Sequence, residues 1–105
     1  MYDMEQIERI SKMERNLDDA EAAISSLRNS LEEYMSAQPK IAELFAYYSE
    51  GDWMRDYEAD SAGLLPHDLK RGVLSEDGIF NMMSDNRELL AEMAELAEKF
   101  SDNLP

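Results

Sequence analysis

Ile10, Met13, Leu17, Ala20, Ile24, Leu27, Leu31 and Tyr34 follow one another in alternating steps of three and four. That rhythm is a heptad seam, one apolar stripe along an α-helix, and Ile7 and Met35 widen it at its ends. The positions between are charged or small and polar, and neither Pro nor Gly occurs in residues 1–38. The spacing predicts a helix over about residues 3–36, roughly 50 Å long at 1.5 Å per residue. Such a rod cannot bury its stripe by itself. It requires a partner of similar length.

The last segment offers one. Ile79, Met82, Asn86, Leu89, Met93, Leu96 and Phe100 repeat the alternation, with Asn86 standing where an apolar residue is expected. A lone polar residue in a seam can fix register at some cost in stability. Alternatively, Ser84 or Asp85 caps a fresh helix there, with Glu88 three residues beyond Asp85 as a capping box. Both readings stand at this stage. Ser75, followed by the acids Glu76 and Asp77, reads as the N-cap of a helix over about 76–101.

Shorter pieces lie between the rods. Pro39 suits the first position of a helix over about 39–50, whose apolar face is Ile41, Leu44, Phe45 and Tyr48. Gly51 stops it, and Asp52 caps a helix over about 52–62 that ends at Gly63. One more turn is expected over about 66–71, closed by Gly72, with Val73 packing back. The expected fold is therefore all-α and a single domain over residues 1–105. A long antiparallel, coiled-coil-like pair (3–36 and 76–101) carries the short helices as a small bundle.

Composition narrows the function classes. Twenty-four acids against ten bases give a net charge of −14, spread over the whole length. Such a surface repels phosphate backbones and anionic bilayers, so neither direct nucleic-acid binding nor membrane binding is expected. A solubilising role for the acids and attraction of a basic protein partner are the two readings left. The absence of cysteine removes disulfides, thiolate metal sites and thiol nucleophiles, and fits a cytoplasmic address. The first residues are acidic where a secretion signal would be basic and then apolar.

The chemistry-bearing residues concentrate in the middle. Asp56, Glu58 and Asp60 alternate as in a calcium loop, yet Ser61 and His67 stand where that loop needs Gly and Glu. His67 is the sole histidine, so paired Glu-x-x-His metal sites cannot be built, and it reads as a loop residue. No pattern implies a catalytic group, a metal or a cofactor. Tyr47, Tyr48, Trp53 and Tyr57 form an aromatic cluster that either plugs one end of the bundle or anchors an interface. The adjacent bases Lys70 and Arg71 are expected to neutralise the acids at 52–60. On the last helix, Asp85, Glu88, Glu92 and Glu95 line one face, while the methionines read as core.

Tyr47-Tyr48-Ser49, Trp53, residues 56–60, Gly63, Pro66 and the run Asp68-Leu69-Lys70-Arg71-Gly72-Val73-Leu74-Ser75-Glu76-Asp77 resemble a bacterial family known as domain of unknown function 4298. The resemblance covers most of the chain, and residues 68–77 are its most specific part. Ser61 stands where an acid is expected in the family, which weakens a cation site in that loop. The resemblance implies no activity.

The leading functional expectation is a non-catalytic protein-interaction module, an adaptor or regulator whose partner is a protein, basic or a second copy. Its candidate patch is Tyr48, Trp53, Asp56, Tyr57, Glu58, Asp60, Lys70 and Arg71. A second expectation is a small-molecule or divalent-cation site within residues 52–77. A third is an acidic mimic of nucleic acid that occupies basic proteins.

Overall fold

The structure is a computed structural model that describes residues 1–104. It is all-α, and among the described residues there is no strand. Helix α1 spans Met4–Ser49, α2 spans Asp52–Ser61, a 3-10 turn covers Gly72–Leu74, and α3 spans Gly78–Ser101. The contacts divide the chain into two units, Met1–Gln38 and a second that begins at Pro39.

The first unit is helix alone. Asp3 opens it: its Oδ1 accepts the backbone N–H of Glu5 at 3.0 Å and of Gln6 at 3.3 Å, satisfying two donors that the first turn leaves open. The heptad stripe forms as the spacing predicts, but every residue from Ile7 to Leu31 is exposed. The expected burial of this stripe is not made. The helix persists regardless because its backbone hydrogen bonds close within the segment itself.

The two helices expected over 3–36 and 39–50 are one, with Pro39 inside α1. Proline forfeits the hydrogen bond to the carbonyl four residues back and crowds it, a cost of about 3 kcal/mol in a helix interior. Ending at Gln38 would instead strip four carbonyls of their helical partners. Continuing loses one bond, and residues 44, 47 and 48 then gain packing against the core of the second unit.

That core is built on Trp53, Leu74 and Ile79, the buried hydrophobic residues among those described. Leu44, Tyr47, Tyr48, Tyr57, Leu65, Met82 and Met83 pack around them, half-exposed. Gly51 makes the reversal between α1 and α2 with φ of 102°, a left-handed conformation that Cβ disfavours. At the far end of α2, Gly63 (φ 72°) closes a Schellman stop, with Leu64 N–H on the Ala59 carbonyl and Gly63 N–H on that of Asp60, both 3.0 Å.

Two boundaries differ from expectation. Residues 66–71 form a turn rather than a helix, with Leu69 N–H reaching the Pro66 carbonyl at 3.3 Å. The Arg71 guanidinium donates to the Pro66 and Leu69 carbonyls, which holds this segment in its turn. Gly72 starts the 3-10 turn where it was expected to stop a helix. The last helix begins at Gly78 with Asp77 and not Ser75 at its N-cap position, although Ser75 Oγ accepts the Gly78 N–H at 3.1 Å. A Cβ on Gly78 would lie 2.6 Å from that Oγ and 3.0 Å from the Gly72 carbonyl oxygen, so only glycine fits so close an approach. Helix α3 runs through residues 84–86 without a break, and Asn86 keeps its half-buried place in the seam.

Candidate interaction site

Four residues separate Trp53 from Tyr57 along α2, which places both on one helix face. The two rings stack at 5.1 Å with planes 19° apart, and Tyr48 from α1 closes on the other ring contact at 5.1 Å and 58°. Such pairs contribute about 0.5–1.5 kcal/mol each beyond the burial itself. The indole N–H of Trp53 donates to the Val73 carbonyl at 2.9 Å, so the ring enters the core with its polar atom satisfied. One side chain thereby joins α1, α2 and the 3-10 turn.

Two polar contacts fasten the rim of this cluster. Tyr47 donates its hydroxyl to Asp56 Oδ2 at 2.5 Å, tying the end of α1 to α2. Burial pushes the Tyr47 phenol up to about 12, and the bond to Asp56 and the charges of Asp56 and Asp52 push the same way. Arg71 pairs with Asp60, both half-buried, while its other donors hold the Pro66 and Leu69 carbonyls. The loop between α2 and the 3-10 turn is thus clamped from inside. Arg55 pairs with Asp52 at 3.2 Å on the open surface, where such pairs are worth little.

The candidate residues therefore separate into two sets. Trp53 is buried, Tyr48 and Tyr57 are half-buried against it, and Asp60 and Arg71 are engaged with each other. Asp56 is exposed and holds Tyr47. Glu58 and Lys70 are exposed, and neither forms an ion pair among the described residues. Lys70 and Arg71 thus part ways, since only Arg71 meets an acid. Sequence reasoning missed the Tyr47–Asp56 bond and the part played by the Val73 carbonyl. The first had a signal, since a tyrosine just before Gly51 and an acid one turn into α2 face each other across a tight reversal. The second, a backbone acceptor, leaves no trace in residue identity.

Among the described residues no three acids or histidines come close enough to hold a metal ion. His67 is exposed in the 66–69 turn. A shallow groove lined by Lys40, Glu43, Leu44 and Tyr47 runs along one face of α1. On α3, Asp85, Glu88, Glu92 and Glu95 are all exposed. No helix is long and apolar enough to cross a membrane, among the described residues.

Residues 10–96 match the family described as Domain of unknown function (DUF4298). The chain belongs to that family. The DUF4298 match takes in the seam from Ile10 onward, the whole aromatic cluster and α3 as far as Leu96. No curated protein and no solved structure matches the chain.

Proposed function

We infer that this chain is a non-catalytic protein-interaction module, a cytoplasmic adaptor or regulator of bacterial origin. The observation that carries the reading is the apolar stripe of residues 7–35. Ile10, Met13, Leu17, Ile24 and Leu27 are each at least 50% exposed. Single exposed apolar residues are ordinary, but an ordered row of them over three heptads marks a surface made to be covered. The acid-rich composition and the lack of cysteine support the cytoplasmic address. In the second unit, Glu58 and Lys70 beside the Trp53 cluster are the proposed recognition residues, and the acids of α3 offer a surface to a basic protein.

The test is cross-linking of the tagged full chain in its native cells, beside a Leu17→Asp/Ile24→Asp variant. A specific partner held by the wild type and lost by the variant is the expected result. Equal recovery with both chains would remove the stripe from the recognition surface. Binding that collapses with added salt in both would point to the acids instead.

A further inference from the structure

The exposed stripe of the first unit has a charge pattern that selects its occupant. With Ile10, Leu17, Ile24 and Leu31 at heptad position a, and Met13, Ala20 and Leu27 at d, the flanking g positions are Arg9, Asn16 and Ala23. The flanking e positions are Glu14, Glu21 and Arg28. Two bases and two acids therefore border the seam, which is locally neutral. The surplus acids of this unit, among them Glu8, Asp18, Asp19, Glu32 and Glu33, fall at the outer b, c and f positions. A seam made for a basic partner would carry its acids at e and g. This one carries two there, Glu14 and Glu21, balanced by Arg9 and Arg28.

We propose that residues 10–31 pair with a second copy of the chain as a parallel, in-register two-stranded coiled coil. In a parallel pair, each g position faces the e position five residues on in the other helix. Arg9 then meets the partner's Glu14, twice by symmetry. Asn16 meets the partner's Glu21, and Ala23 meets the partner's Arg28. No like charges face each other. An antiparallel pair with full overlap matches that gain, with Glu14 against the partner's Arg28 twice, but it adds Glu21 against the partner's Glu21, a repulsion in a chain already at −14. In the seam, Ile10 and Ile24 stand at two of the four a positions and Leu27 at a d position, the choices that favour two parallel strands. Ala20 lets the helices approach closely at mid-seam.

This deepens the interaction-module reading and rests on it, and the test separates the two. Sedimentation of the full chain across micromolar concentrations is expected to show a monomer–dimer equilibrium. Arg9→Glu, which turns two attractive contacts repulsive, is expected to weaken it by about tenfold. Arg9→Glu/Glu14→Arg is expected to restore it. Because the chain has no cysteine, Met13→Cys supplies a single thiol, and mild oxidation is expected to link two chains only in the parallel register. A chain that stays monomeric throughout overturns the proposal, and it does so without touching a different partner captured through the stripe. A dimer insensitive to the charge swap, or one that Met13→Cys fails to link, overturns it as well.

Discussion

Tyr47 is the residue at which pH should reach the fold. Its phenol ionises near 10.0 in an open chain and is raised to about 12 in the folded one. Between those values the unfolded chain has released the proton while the folded chain keeps it. The stabilisation is therefore complete below pH 10 and is lost as pH climbs towards 12. Tyr47→Phe removes this term. Urea midpoints measured across that interval are expected to fall less steeply for the variant than for the wild type. Parallel slopes would mean that the folded chain does not hold the Tyr47 phenol above its ordinary range. At this scale much was readable, because the spacing of Trp53 and Tyr57 places them on one face and Arg71 has an acid within reach. Lys70 was not separable from its neighbour, since adjacency in sequence says nothing about which of two bases a turn directs inward.

The elements were legible where period decides and less so where local punctuation does. The three-four alternation located α1 and α3, and the two left-handed glycines, Gly51 and Gly63, delimit α2 as expected. Pro39 misled, because proline is equally at home at a helix start and tolerable inside when the flanking turns are sound. The 66–71 segment misled because Arg71 holds the turn through the Pro66 and Leu69 carbonyls while it pairs with Asp60, side-chain contacts outside the reach of backbone propensity. If Pro39 is an interior defect, Pro39→Ala should strengthen α1 by up to about 3 kcal/mol. The readout is amide exchange over residues 35–43, which is expected to slow. Unchanged exchange there would show that the proline costs the helix nothing.

At the scale of the whole molecule, charge and missing cysteine shaped the functional expectations, whereas the burial of the stripe could not be read. A seam announces that it needs covering without naming what covers it. The buried residues all lie beyond Pro39, together with the side chains that flank them. A chain starting at Pro39 is therefore expected to melt in one cooperative calorimetric transition. A broad, non-cooperative trace would show that residues 1–38 are needed to hold the core together. The site of Trp53 has one more consequence. It is the sole tryptophan, packed with Tyr48, Tyr57 and Leu74, so its light emission reports on the core of the second unit. Emission that holds its colour while the scattering mass doubles would show an assembly step that leaves the Trp53 cluster undisturbed, with no label attached.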